Sequence, residues 1–244
     1  MTKCTVAKKL WWHKRILPKS FWQDLNQAVW QPFGLSLLLV FFVCWFVAGF
    51  LYLTHSTLNL QAYGLTYLLG AYSIGLDREM VPFLVALTLL LTTGVSFSSE
   101  LANMKASEQV DLLEMAGLDP VDYLILPRLG AGIILTVGLT IIGWIFAFVD
   151  CYLISIQMNV DMPGFLKTAH DFFNYSFVWV GLIKATVNGL IIGLVPSLIV
   201  LQSKINNSLD VRRTIINASA ISFILLIIVF VAFALFVRYP EVLI

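Results

Sequence analysis

The 244-residue chain has little charge: Asp, Glu, Lys and Arg make up 12% of it, against 59% hydrophobic residues. About a quarter of the residues in an ordinary soluble domain are charged, roughly twice this fraction. The apolar residues form runs of about twenty, a length that matches the roughly 30 Å hydrocarbon core of a bilayer. The composition therefore excludes an ordinary soluble domain and predicts an all-α integral membrane protein.

Motifs that carry chemistry are also missing. No GxxxxGK[ST] sequence occurs, and such a loop is needed to cradle nucleotide phosphates, so we expect no ATP hydrolysis by this chain alone. The three cysteines and three histidines are scattered, without zinc spacing or an HExxH pattern. A net charge of +1 gives no reason to expect nucleic acid as a partner. No catalytic residue, cofactor-binding residue or metal ligand is predicted.

Residues 1–30 carry six basic side chains, which interrupt every apolar stretch and leave no apolar core for a cleaved signal peptide. Aromatic residues such as Trp11, Trp12 and Trp22 alternate with the basic set. This alternation is typical of a helix lying in the membrane interface, with its rings at headgroup depth. We therefore predict an interfacial amphipathic segment at 1–30, followed by a single transmembrane domain at 31–244.

Five apolar runs are long enough to span a bilayer: 34–54, 80–98, 129–154, 178–201 and 214–237. The run 60–76 is shorter, and spanning, re-entrant and interfacial placements all remain open for it. Basic residues accumulate on the cytoplasmic side. Five spans place eleven of them inside and three outside, whereas six spans place nine inside and five outside. About five spans are therefore favoured, with a cytoplasmic N-terminus and a C-terminus on the other side.

The stretch between the second and third spans is acidic, since five of the fourteen acids of the chain lie in residues 100–120. Ser107 is a suitable N-cap and Gly117 a suitable residue just past a helix end, so a short helix is predicted from Glu108 to Ala116. At about 14 Å it is too short to span a membrane. It should lie at the cytoplasmic surface.

The predicted short helix is amphipathic. Its acids share one arc, and its apolar residues lie on the other side: Glu108, Asp111 and Glu114 against Val110, Leu112, Leu113 and Ala116. Amphipathicity alone fits a solvated loop helix and a docking helix for a cytoplasmic partner equally well.

A few ionisable residues fall in or beside the apolar runs. Arg78 and Glu79 are predicted at the outer end of the second span, Asp150 near the outer end of the third, and Lys184 about 9 Å below the outer end of the fourth. Neighbours in a helix point about 100° apart, so Lys184 is a better partner for Glu79 than Arg78 is. Ionisable groups in a bilayer are functional candidates, although Arg78 and Lys184 could also snorkel towards headgroups.

Small residues in the fourth span indicate close packing of helices. Gly189 and Gly193 form a GxxxG pair, and Pro196 follows. Asn188 beside them is expected to bond a neighbouring helix.

The segment 78–128 reads REMVPFLVALTLLLTTGVSFSSELANMKASEQVDLLEMAGLDPVDYLILPR. It resembles the MlaE (YrbE) family of ABC-transporter permeases, membrane subunits that work with MCE-domain lipid-binding proteins. Many residue types at fixed spacing carry the resemblance: Glu100, Met104, Lys105, Glu108, Gln109, Asp111, Leu113, Glu114, Asp119, Pro120, Tyr123, Leu124, Pro127 and Arg128. The chain departs from the family pattern at Val81, where a glycine is usual, and in lacking an acid within 214–237.

The resemblance implies a function and partners. Residues of about 100–122 would form the coupling segment that seats in a separate cytoplasmic ATPase, which would bind ATP and Mg²⁺: Glu100, Met104, Lys105, Glu108, Gln109, Asp111, Leu113, Glu114, Asp119 and Pro120. Arg78, Glu79 and Lys184 would lie beside a cavity that receives phospholipid. An MCE-domain protein and a second permease subunit, either another copy or a different chain, would complete the complex in the bacterial inner membrane.

Two other functions are compatible with the residues. An ion-coupled secondary transporter could use Glu79, Asp150 and Lys184 as a relay, and its transport would follow pH or membrane potential rather than nucleotide. A scaffold that only anchors partners would tolerate the loss of all these charges.

Overall fold

The computed structural model describes residues 26, 29–30, 33–42, 45–46, 49, 79–117, 119–157, 162–172, 175–205 and 207–236. Every element in this part of the chain is a helix, as predicted. The helices are α1 (Phe33–Phe42), α2 (Val81–Ala106), α3 (Gln109–Met115), α4 (Val121–Gln157), α5 (Met162–Phe172), α6 (Tyr175–Gln202) and α7 (Ser208–Phe236).

Four segments of the described chain are long and apolar enough to cross a membrane: Val81–Ala106, Val121–Gln157, Val178–Gln202 and Leu209–Ala234. They correspond to the second to fifth predicted spans. Helix α1 is the beginning of the predicted first span, and much of 34–54 lies outside the described residues. The segment 60–76 and nearly all of 1–30 lie outside them too. The chain is thus an all-α, multi-pass membrane protein.

Two spans extend beyond the apolar runs that predicted them. The run 80–98 belongs to a helix that continues to Ala106, and the run 129–154 belongs to one that begins at Val121. Polar side chains within these extensions find partners locally, as when Ser99 donates a hydrogen bond to the Ser96 carbonyl at 2.9 Å. Hydropathy identifies the part of a helix that can lie in the hydrocarbon core. The helix itself extends further, for as long as its backbone hydrogen bonds continue.

Two helices contain π-helical turns, at Leu90–Gly94 within α2 and at Val121–Ile125 at the start of α4. Such turns insert an extra residue and often occur at functional positions. Thr92 lies within the first turn, and its hydroxyl oxygen is 3.2 Å from that of Ser36, a contact that joins α1 to α2.

The bundle has two apolar clusters. We call the end that carries α3 the lower end and the opposite end the upper end. The central cluster joins α1, α2, α4, α6 and α7 through buried residues that include Val40, Val85, Leu89, Leu139, Ile192 and Leu226. The lower cluster joins α3 to the lower ends of α2, α4, α6 and α7. Its buried residues are Leu101, Ala102, Val110, Leu124, Val200 and Ala218.

Helices α4 and α6 approach closely along three glycines. A Cβ on Gly189 would lie 2.3 Å from the Thr136 hydroxyl, and one on Gly193 would lie 2.7 Å from the Leu129 Cα. A Cβ on Gly132 of α4 would lie 2.7 Å from the Gly189 carbonyl oxygen. The predicted close packing at Gly189 and Gly193 is confirmed, and Gly132 is the matching residue on the partner helix.

Candidate functional site

Helix α3 lies between two residues with left-handed backbone. Gly117, with φ of 76°, ends it, as predicted for a residue just past a helix end, and its N–H donates to the Glu114 carbonyl at 2.9 Å. The predicted N-cap is wrong. The Ser107 hydroxyl donates back to the Asn103 and Met104 carbonyls and so ends α2, while Glu108, with φ of 59°, precedes α3. The helix therefore runs from Gln109 to Met115, inside the predicted bounds.

The apolar residues of α3 fall into two groups. Val110 is buried and Leu113 half-buried, both in the lower cluster. Leu112 and Met115 are 57% and 75% exposed. The sequence placed Leu112 on the same side as Val110 and Leu113, but a two-turn helix lying across helix ends buries only one narrow stripe. An exposed apolar stripe flanked by acids remains.

The ten predicted coupling residues divide by position. Four have exposed side chains at or on α3: Glu108, Gln109, Asp111 and Glu114. The others contact their own chain. Met104 and Leu113 pack on the lower cluster, Asp119 accepts a hydrogen bond from the Val121 N–H at 3.0 Å, and Pro120 is buried at the start of α4.

Glu100 and Lys105 connect α2 to its neighbours. Glu100 Oε2 lies 3.1 Å from Nη2 of Arg128 on α4. The Lys105 ammonium donates a hydrogen bond to the main-chain carbonyl of Leu201, in the last turn of α6. Both residues therefore bind within the bundle.

Arg128 binds the predicted coupling residue Glu100, a contact that reasoning from single positions missed. Its guanidinium is buried, donates to the Leu124 carbonyl at 3.2 Å, and lies 6.0 Å from the centroid of the Phe97 ring. The sequence signal was available: an Arg directly before one apolar run and a Glu just after the preceding run, joined by a helical hairpin. Such a pair can meet at the membrane surface.

Near the upper end, the structure brings together the predicted pair. Lys184 Nζ lies 2.6 Å from Glu79 Oε2, and the Lys184 side chain is 5% exposed. The ammonium also lies 5.7 Å from the centroid of the Phe233 ring, so α2, α6 and α7 meet here. Asn188 donates to the Pro82 carbonyl at 3.4 Å, a second contact between α6 and α2. The predicted bond between Asn188 and a neighbouring helix is therefore confirmed.

The other two ionisable residues predicted near the upper end are Arg78 and Asp150. Arg78 lies outside the described residues. Asp150 is buried on α4, and its Oδ2 atom has no hydrogen-bond partner among the residues that the structure describes. Within that part of the chain Lys184 pairs with Glu79 and not with Asp150.

These features define a class: a multi-pass helical membrane protein with a short helix packed across one end of its bundle and an ion pair buried towards the other. The chain belongs to the MlaE permease family. The family model, described as permease MlaE, matches residues 25–236.

Individual relatives match a shorter region. A probable ABC transporter permease protein of Rickettsia typhi is 36% identical over 123 residues, which are 50% of this chain and 48% of the relative. One from Synechocystis is 32% identical over 136 residues, 54% of this chain and 51% of the relative. The chloroplastic protein trigalactosyldiacylglycerol 1 of Arabidopsis thaliana is 28% identical over 127 residues, 52% and 36% of the two chains. The chain spans about half the length of the curated bacterial relatives it matches.

Proposed function

We propose that this chain is the permease subunit of an ABC transporter that moves phospholipid or a related lipid between the bacterial inner membrane and an extracytoplasmic MCE-domain protein. A separate cytoplasmic ATPase would supply the energy. The observation that carries the proposal is the placement of α3, which packs on the lower ends of four helices while its acidic and apolar outer residues stay exposed.

The exposed stripe of α3 has the chemistry of a docking surface. Leu112 and Met115 would fill an apolar groove on the ATPase, as an amphipathic helix does when it binds in a groove. Asp111 and Glu114 beside them would meet basic residues at the rim and orient the contact. An ATPase bound to α3 would place the lower end of the bundle in the cytoplasm, with the N-terminus on that side and the C-terminus on the periplasmic side.

The packing of α3 couples its movement to that of the other helices. Val110 and Leu113 are held in the lower cluster with residues of α2, α4, α6 and α7. Protein interiors are close-packed and transmit displacement rather than absorb it. Nucleotide-driven movement of the ATPase would therefore shift the lower ends of these helices together.

The upper ion pair suits a phospholipid headgroup. A Lys184 ammonium partnered by Glu79 is held in a low-dielectric region at tolerable cost, since a charge in a bilayer costs several kcal/mol unless it is paired. A lipid phosphate could replace the Glu79 carboxylate as the partner of the ammonium. Arg78, which directly precedes Glu79 in the sequence, would add a second cation. Apolar side chains of the spans would contact the acyl chains.

Family membership and the relatives support this proposal. The relatives in Rickettsia and Synechocystis are named as probable ABC transporter permeases, and the Arabidopsis relative carries the name of a glycolipid. A complete transporter would contain a second permease subunit, either another copy or a different chain.

Purification of the complex with its ATPase tests the proposal. We expect an ATPase to co-purify with the parent protein, and Leu112→Asp with Met115→Asp to reduce its recovery at least tenfold. Leu209→Asp is a matched control, because Leu209 is an exposed apolar residue, 67% accessible, at the start of α7. Recovery of no ATPase with the parent, or equal recovery with the α3 variant, would contradict the proposal.

A further inference from the structure

The lower end of α2 is fastened to two neighbouring helices by basic side chains. Arg128 of α4 binds Glu100, and Lys105 binds the main-chain carbonyl of Leu201 at the end of α6. Of these two contacts, the one made by Lys105 is closer to α3 along the chain, since only Ala106, Ser107 and Glu108 separate Lys105 from that helix.

The Lys105 contact has a clear chemical basis. The last four carbonyls of a helix have no donor within the helix, and Leu201 is the penultimate residue of α6. The carbonyl end of a helix also carries partial negative charge, which favours a cation. The side chain is half-buried, so the contact is partly shielded from water and salt.

Lys105 also lies close to α3. Its chain neighbour Met104 and its partner residue Leu201 pack in the lower cluster with Val110 and Leu113 of α3, whose acids Asp111 and Glu114 attract the ammonium. The ammonium therefore lies at a junction of α2, which bears it, α6, whose carbonyl it binds, and α3, whose acids attract it.

We propose that Lys105 is a positioning residue that clamps the α2–α3 hairpin to α6. Helix α6 also bears Lys184, seventeen residues before Leu201 and about 25 Å away along the helix. A displacement of α3 would pass through Lys105 into α6 and so reach the ion pair with Glu79. Although Lys105 lies within the predicted docking segment, its role is to act inward on the bundle rather than on the ATPase. This inference rests on the proposed function.

Three variants test the clamp. Lys105→Met removes the ammonium and keeps the aliphatic stem, Lys105→Arg keeps a cation, and Lys204→Met is the matched control because Lys204 is exposed at the same end of the bundle. Each complex would be purified with its ATPase and assayed for ATPase recovery, ATP hydrolysis and lipid transfer. Hydrogen exchange of a peptide covering residues 199–205 would be measured on each permease.

We expect Lys105→Met to recover the ATPase and hydrolyse ATP at the parent level, while lipid transfer per ATP falls at least fivefold and exchange at 199–205 rises. Lys105→Arg should restore both readouts at least in part, and Lys204→Met should change neither. The inference would be overturned if Lys105→Met left lipid transfer per ATP unchanged or left hydrogen exchange at 199–205 unchanged. It would also be overturned if ATPase recovery fell as much as lipid transfer did. If the parent itself bound no ATPase or transferred no lipid, the proposed function would fail, and the exchange data would still test the contact with Leu201.

Discussion

The ion pair between Lys184 and Glu79 is more deeply buried than the pair between Arg128 and Glu100. The Lys184 side chain is 5% exposed and that of Glu79 is 28% exposed. Removing one partner of a buried pair is costly because it leaves the other charge uncompensated, whereas removing both can be nearly neutral. The two residues should therefore be strongly coupled in stability.

We expect Glu79→Gln to destabilise the protein by about 3 kcal/mol, because it leaves the buried ammonium without its carboxylate. Lys184→Met should cost less, since Glu79 is partly exposed. The double variant should be more stable than Glu79→Gln alone. Thermal unfolding of the purified permease in detergent measures this, and losses in the double variant equal to the sum of the single losses would contradict it.

Asp150 is another ionisable residue buried in the bundle. Its carboxylate is buried on α4, and Oδ2 lacks a hydrogen-bond partner within the described ranges. Buried polar groups are normally paired, so an unpaired buried carboxylate oxygen is unusual. The proposed transport mechanism does not use it.

Helices α4 and α6 depend on glycine for their close approach. A Cβ at Gly193 would lie 2.7 Å from the Leu129 Cα and 2.8 Å from the Arg128 carbonyl oxygen, both backbone atoms that cannot rotate away. Overpacking of this kind typically costs 1–3 kcal/mol. The helices would have to separate by several tenths of an ångström.

We therefore expect Gly193→Ala to lower the stability of the permease by about 2 kcal/mol. Gly138→Ala on α4 is the control, because a Cβ there would meet nothing within 4 Å. Its effect should be neutral or slightly stabilising, since alanine favours a helix more than glycine does. Thermal unfolding compares the two, and equal losses would show that close packing is not the cause.

Much of the helical structure could be predicted from the sequence, because hydropathy and turn residues act locally. The apolar runs locate the spans, and Gly117 locates the end of α3. The Ser107 cap was mispredicted because Ser107 satisfies carbonyls of α2 instead. Such competition between adjacent helices depends on tertiary placement.

The candidate site was predictable where chemistry restricts the choice of partner. Charges of opposite sign in apolar spans are stabilised by pairing, so the contact between Lys184 and Glu79 could be inferred. The contact of Lys105 with a main-chain carbonyl could not, because every helix end offers such acceptors and no side chain in the sequence marks the one that is used.

In the molecule as a whole, the central and lower clusters are connected by helices that run through both. Helices α2, α4, α6 and α7 contribute to each cluster, while α3 contributes only to the lower one. A force applied at α3 therefore acts on helices that continue to the ion pair of Lys184 and Glu79. This arrangement would allow the proposed transporter to be driven from one end and loaded near the other.

Lipid transfer by the reconstituted complex would test whether nucleotide drives this permease. The complex would be placed in proteoliposomes containing labelled phospholipid, with an extracytoplasmic MCE-domain protein as the partner, and transfer would be followed with ATP, with a slowly hydrolysed ATP analogue, and after ionophores collapse the ion gradients. We expect transfer that requires ATP hydrolysis and persists without ion gradients. Transfer that proceeds without nucleotide and stops when the gradients collapse would contradict it and favour an ion-coupled transporter.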